Sequence, residues 1–336
     1  MMKPEETIKV SVLMLTYNQE RYIDEAIRSV MLQETDFRFE LVIGNDASTD
    51  RTDAICRKWR DTHPQQIRLF SRERNLGLIG NFLQTYANCR GKYVAICEGD
   101  DFWIDRHKLQ IQADFLDTHP SCSTCFHRVI NYFEDNGTKS LSNGGGQKSD
   151  TCLIDLARSN YITNVSAVFR KGLFGDFPDW FAQVSTYDYA LHMLNAQYGD
   201  IHYINRPMAV YRQHGKAIWS MTGMDRKLDT ALTVRELLIA HFEQVQRTEV
   251  CDALRNAHTQ ICLNLIRYYR QVSAAESKIR DAEERLLRYR PEWSRQELAA
   301  KEIPLKPTAR ERVMRVLKKV RGMVSLFIPL PRIKER

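Results

Sequence analysis

Four short apolar runs, KVSVLMLT at 9–16, FELVIG at 39–44, IRLFSR at 67–72 and KYVAIC at 92–97, are separated by segments with a helical period. The first separator, ERYIDEAIRSVMLQ at 20–33, places Ile23, Ala26, Ile27, Val30 and Met31 on one stripe. STD at 48–50 offers capping residues to the helical pattern RTDAICRKWRDTH, and Gly91 closes a loop and helix over 75–91. Strand and helix in alternation at this spacing predict an α/β fold, a mostly parallel sheet flanked by helices.

Such sheets bind ligands beyond the carboxyl ends of their strands. At those ends stand Thr16-Tyr17-Asn18-Gln19-Glu20, then Asn45-Asp46-Ala47-Ser48, then Glu98-Gly99-Asp100-Asp101. Polar and acidic groups at three successive strand ends of one edge make a candidate site. Glu98, Asp100 and Asp101 crowd one mouth, and like charges this close require a cation or hydrogen-bond donors. The plainer reading makes Asp101 an acidic helix cap, because FWIDRHKLQIQADFL follows as a helical pattern.

Farther on, 135–151 is rich in Gly, Ser and Asn and reads as a mobile loop. NVSAVFRKGLF at 164–174 suggests a strand and turn, STYDYALHMLNAQYG at 185–199 an amphipathic helix, and HYINRPMAVYRQHG at 202–215 a strand. From about 224 to 290 the pattern is helical. The organisation expected is an α/β domain over 1–220, a helical region over 221–303 and a basic tail over 304–336.

The net charge of +7 is uneven: residues 301–336 hold eleven Lys/Arg against three Glu, leaving −1 for everything before. A body so nearly neutral argues against nucleic acid as a partner. No stretch approaches the roughly 18–20 uninterrupted apolar residues of a membrane span, and MMKPEETIKVSV lacks a signal-peptide core, so a cytoplasmic location is expected. The eight cysteines show no disulfide framework; Cys122-x-x-Cys125 near His127 lacks a second ligand pair for zinc and reads as core. Asn164-Val-Ser matches a glycosylation sequon of little weight without a secretion signal.

VSVLMLTYNQERYIDEAIRSVMLQ, ELVIGNDASTD, RNLGLIGNFLQTYANCRGKYVAICEGDDFW and YDYALHMLNA, in this order over residues 8–215, resemble the nucleotide-sugar-dependent glycosyltransferases of family 2, with the GT-A fold. The resemblance implies an inverting enzyme that moves one hexosyl or N-acetylhexosaminyl unit from a nucleotide-sugar donor, UDP-linked by expectation. The saccharide or lipid-linked acceptor would belong to cell-surface polysaccharide assembly. It implies that Glu98-Gly-Asp100-Asp101 is the family's DXD motif, with Glu at the first acidic position, holding Mn²⁺ or Mg²⁺ against the donor diphosphate. Thr16, Asn18, Glu20, Asp46, Asn75 and Asp100 match nucleotide-sugar positions; Asn45-Asp46 stands where many relatives have Asp-Asp. Tyr187-Asp188-Tyr-Ala-Leu191 resembles the family's (E/T)-D-x-x-L pattern, making Asp188 the catalytic base, and Tyr211-Arg-Gln-His214 the closing segment, with His214 on metal or phosphate. The processive QxxRW motif is absent, which favours single-sugar transfer. The rivals are a nucleotidyltransferase, which would want a Gly-rich loop after the first strand, and a degenerate module that binds nucleotide without turnover.

RERVMRVLKKVRGMVSLFI at 310–328 places Val313, Val316, Leu317, Val320, Val324 and Phe327 on one helical face, with Arg312, Arg315, Lys318 and Lys319 largely opposite. A basic amphipathic helix reads as a contact with an anionic membrane surface, which would put the protein on the inner face of the plasma membrane. The plainer alternative is a helix packed on the body with its basic face in water.

Overall fold

The computed structural model describes residues 7–215 and 223–294. The basic tail over 304–336, with its expected membrane helix, lies outside the described residues. The chain divides into two compact units, one holding the described residues up to 153 and 161–214, the other 154–160 with those from 215 onward.

The first unit is built on one sheet. Its strands are β1 Val10–Thr16, β2 Phe39–Asn45, β3 Ile67–Ser71, β4 Tyr93–Ile96, β5 Phe102–Trp103, β6 Cys122–Phe133, β7 Thr138–Leu141, β8 Asp150–Thr151, β9 Val168–Arg170 and β10 Asp200–Gln213. Its helices are α1 Ile23–Met31, α2 Thr52–Thr62, α3 Gly77–Ala87, α4 Lys108–Thr118 and, after the short α5 Leu153–Arg158 that spans the division, α6 Asp188–Ala196. The strand order is β3-β2-β1-β4-β9-β6-β10-β5, with β7 on β6 and β8 on β10. β1, β2, β3 and β4 run parallel, β9 is antiparallel to both its neighbours, and β6 and β10 are again parallel to each other. The carboxyl ends of six strands therefore open at one edge.

Burial explains why the central strands hold this register. All seven positions of β1 and of β2 are buried, so both faces of the sheet are covered there. Val12 and Met14 of β1 pack with Leu41 and Ile43 of β2 and with Ile23, Ala26, Ile27 and Val30 of α1. Each such side chain contributes about 1.5–3 kcal/mol when fully buried.

Three local expectations are corrected. Phe102 and Trp103 do not open a helix: they pair antiparallel with Val210 and Ala209, and α4 begins only at Lys108. Asp101 therefore does not cap a helix. The segment 135–151 is not a plain loop, because Thr138–Leu141 pairs back onto Ile130–Phe133. Its reversal passes through Gly137 at φ +67°, a conformation that favours glycine, and the Asn136 side chain accepts from Thr138 N at 2.9 Å. β6, which sequence reading left unassigned, carries Cys122 and Cys125 as buried, free thiols.

Among the described residues from 223 onward, the second unit has the helices α7 Met224–Gln244, α8 Thr248–Gln271 and α9 Glu276–Tyr289. Leu232, Cys262, Leu263, Leu265, Ile266, Ala282 and Leu286 form its core. Among the described residues, no helix is long and apolar enough to cross a membrane.

Candidate active site

Beyond β4 the main chain still follows β1: Cys97 N donates to Leu13 O at 3.1 Å and Gly99 N to Leu15 O at 2.9 Å. It then turns, Asp101 N donating to Glu98 O at 3.1 Å. A Cβ at Gly99 would meet the Thr16 hydroxyl at 2.9 Å and strike the Gln19 side chain, so only glycine lets the β1 loop lie this close. The turn gathers carboxylate oxygens of Glu98, Asp100 and Asp101 within 4.8 Å of one another.

Each carboxylate is held separately. Glu98 Oε1 accepts from the Tyr187 hydroxyl at 2.6 Å and from Asn164 Nδ2 at 3.3 Å. Asp101 Oδ1 accepts from the main-chain N of Arg212 at 2.8 Å. Asp100 Oδ2 faces His214 Nε2 at 3.2 Å, and the Asp100 carbonyl accepts from Arg212 Nε at 2.9 Å. The Arg212 guanidinium also donates to Glu25 at 2.7 Å and lies between the rings of Tyr22 and Phe102, 4.9 Å from each centroid. Its hydrogen bonds thus go to a carbonyl and to Glu25, not to the three clustered carboxylates.

The cluster pays electrostatically for its crowding. Burial, then repulsion from Asp100 and Asp188, pushes Glu98 up to about 7 despite its hydrogen bonds to Tyr187 and Asn164. Burial and the charges of Asp100 and Glu98 hold Asp101 well above the usual carboxylate range. Hard oxygens that repel one another at this spacing fit a divalent cation of the Mg²⁺ or Mn²⁺ kind. His214 meets the cluster through Asp100.

The loops after β1, β2 and β3 interlock beside this turn. The Thr16 hydroxyl donates to Gln19 Oε1 at 2.8 Å. Asn18 adopts φ +52°, with its N donating to the Ser48 hydroxyl at 2.9 Å and its Oδ1 accepting from Thr49 N at 2.8 Å. Asp46, nearly fully buried, accepts from Leu76 N at 2.7 Å through Oδ1, and its carbonyl accepts from Asn75 Nδ2 at 3.2 Å. Asn45 donates to Asp53 at 2.8 Å and so secures the start of α2. Thr16, Asn18, Asp46 and Asn75 thus share one edge. Glu20 stands at the same edge but is taken up by Arg51, whose N and Nε both donate to it at 3.1 Å; these bonds lower its carboxyl below the ordinary range.

Asp188 opens α6, and its charge reaches Glu98 strongly enough to raise it. Sequence reading missed Tyr187, Asn164 and Arg212. Asn164, set aside with its sequon, sits 66 positions from Glu98 in the chain yet touches it. Arg212 lies inside the quoted closing segment, where its sign opposite three acids was the available signal.

A mostly parallel sheet with an acidic turn at the mouth of a central strand, and a helix-opening aspartate whose charge reaches that turn, has the arrangement of the GT-A fold. The chain belongs to glycosyltransferase family 2: the model described as Glycosyl transferase family 2 matches residues 11–177. An uncharacterized protein of Mycobacterium tuberculosis is 37% identical over 219 residues, 65% of this chain and 62% of that one. The chain thus spans a little under two thirds of the length of such curated relatives. The poly(ribitol-phosphate) beta-N-acetylglucosaminyltransferase TarS of Staphylococcus aureus is 33% identical over 116 residues, 34% of this chain and 20% of TarS. The structure of TarS 1-349 with UDP-GlcNAc superposes with a TM-score of 0.52 at 19% identity, covering 85% of this chain and 92% of that one. The mannosyltransferase PcManGT from Pyrobaculum calidifontis, solved with GDP-Man and Mn²⁺, gives 0.53 at 18% identity, covering 96% and 90%. At such identities the superpositions show a shared fold.

Proposed function

We propose that this protein is an inverting glycosyltransferase that moves one sugar, hexosyl or N-acetylhexosaminyl, from a UDP-sugar to a hydroxyl of a saccharide or lipid-linked acceptor in cell-surface polysaccharide synthesis. The observation that carries the reading is the set of three carboxylates within 4.8 Å, of which Glu98 is raised in part by the neighbouring charge of Asp188. The ligands in the two neighbouring structures, UDP-GlcNAc and GDP-Man with Mn²⁺, support a nucleotide-sugar donor, and the poly(ribitol-phosphate) in the TarS name supports the cell-surface polymer setting.

Glu98, Asp100 and Asp101 would hold Mn²⁺ or Mg²⁺, which when bound supplies Lewis-acid stabilisation of the charge growing on the diphosphate. Thr16, Asn18, Asp46 and Asn75 form the wall for the nucleoside, and Glu20 braces that wall through Arg51. Asp188 takes the proton from the acceptor hydroxyl as it attacks the anomeric carbon opposite the departing diphosphate. His214 orients Asp100 from behind and is placed to donate to phosphate. The basic tail docks on an anionic membrane surface at the cytoplasmic face, where a lipid-linked acceptor would be presented.

Calorimetric titration of UDP and of GDP, each with and without Mn²⁺, tests the site. Wild type should bind one of them in a metal-dependent way, Asp100→Ala should lose that binding, and Asp188→Asn should keep it within about twofold. Transfer with the matching sugar nucleotide should fall about 10²–10⁴-fold in Asp188→Asn. Binding without metal, or an active Asp188→Asn protein, would sink the respective assignment.

A further inference from the structure

Two departures of this chain from the family pattern meet in one hydrogen bond. Glu98 stands at the first acidic position of the motif, where Asp is commoner, and Tyr187 stands before the proposed base, where the pattern has Glu or Thr. The Tyr187 hydroxyl donates to Glu98 Oε1 at 2.6 Å and accepts from Asn164 Nδ2 at 2.9 Å, while Asn164 also reaches Glu98 Oε1 at 3.3 Å. An Asp at position 98 would fall short by about one carbon–carbon bond, roughly 1.5 Å. The Tyr187 ring is buried and stacks on Phe82 of α3 with centroids 4.1 Å apart and planes 15° from parallel, so its hydroxyl has little freedom.

We propose that Tyr187 is a positioning residue: its hydroxyl clamps Glu98 and thereby ties the carboxylate cluster to the first turn of α6, which carries Asp188. The inference rests on reading the cluster as a cation site and Asp188 as the base. Both donors converge on Oε1, and among the described residues none donates to Oε2, so the clamp fixes the carboxylate plane with one oxygen left for a cation. The same bond spans the gap between the end of β4 and the start of α6. The distance from cluster to base is then set by one short contact, not by the long loop between β9 and α6.

The test is a double-mutant cycle of Tyr187→Phe and Glu98→Asp on the full chain. It has two readouts: uptake of Mn²⁺ alone, followed by loss of the free-ion paramagnetic resonance signal, and metal-free hydrogen exchange at residues 188–191. Tyr187→Phe keeps the stacked ring and removes only the hydroxyl, so a packing role would leave Mn²⁺ affinity unchanged. The clamp instead predicts about tenfold weaker Mn²⁺ binding. It also predicts that the double variant binds no more weakly than Glu98→Asp, because the bond is already lost there. Exchange at 188–191 should quicken with the same non-additivity. Wild-type affinity in Tyr187→Phe, or losses that simply add, would overturn the clamp. If wild type takes up no Mn²⁺, the cation reading of the cluster fails, and exchange alone decides: non-additive quickening upholds the clamp, and unchanged or additive rates overturn it.

Discussion

Glu98 is raised to about 7 in the folded chain from an ordinary 4.5, because it is withdrawn from water and lies within reach of the charges of Asp100 and Asp188. A carboxyl whose folded value lies above its unfolded one favours folding when protonated. That contribution is present at low pH and is lost as pH rises from about 4.5 through 7. Glutamine mimics the protonated form at every pH. The stability of Glu98→Gln relative to wild type should therefore improve between pH 5 and pH 8, by up to roughly 3 kcal/mol at about 1.4 kcal/mol per pKa unit. Metal-free thermal unfolding of both proteins at the two pH values measures this; a gap that does not move would mean that Glu98 ionises as an ordinary surface acid. The three acids were legible in the sequence because they fall within four consecutive positions at a strand end. Their partners were not. Asn164 and Tyr187 reach Glu98 across 66 and 89 positions, and no local pattern records such a contact.

At the level of elements, the second unit is joined by one polar network. Glu236 of α7 accepts from Arg285 Nε of α9 at 2.8 Å and pairs with His258 Nε2 of α8 at 3.0 Å, and Arg285 also donates to Asp229. Burial raises the Glu236 carboxyl, but these bonds outweigh it and bring the group down to about 2. Here the sign is reversed from Glu98: the stabilisation is complete above about 4.5 and lost as pH falls towards 2. Glu236→Gln removes from Arg285, four-fifths buried, the more buried of its two carboxylate partners and leaves only the exposed Asp229. That should cost about 3 kcal/mol at pH 7. The measurement is urea unfolding followed by a helix signal; a loss below 1 kcal/mol would show that Asp229 alone satisfies the arginine. The helices themselves were readable from their apolar period, as were β1 to β4 from their uninterrupted apolar runs. β5 was not, because Phe102 and Trp103 are drawn into strand geometry by tertiary partners: Ala209 and Val210 alongside, Ser29 Oγ on Trp103 N at 3.0 Å, and Val165 O on its indole at 3.2 Å. β7 had a local signal in Asn136-Gly137, the two-residue cue of a hairpin, hidden by the polar composition around it.

At the scale of the molecule, charge separates what chemistry would need to bring together. The candidate active-site edge is acidic and would suit a cation-bridged diphosphate, whereas the basic charge is concentrated in residues 301–336, at a net +8 against −1 elsewhere. A donor made in solution and an acceptor carried by lipid would place such a protein at a membrane surface, held by the tail while the site stays open to water. Lys and Arg near an anionic leaflet contribute about 1 kcal/mol each, screened within a Debye length. Full-length protein should sediment with vesicles containing anionic lipid at low salt, release as salt rises, and ignore neutral vesicles. Removing residues 306–336 should abolish sedimentation while leaving the metal-dependent affinity for UDP or GDP unchanged. Sedimentation that survives the deletion would move the membrane contact to the body. A deletion that instead weakens nucleotide binding would mean that the tail packs against the transferase unit and contributes to its site, in which case the basic residues serve the donor's phosphates and not a bilayer.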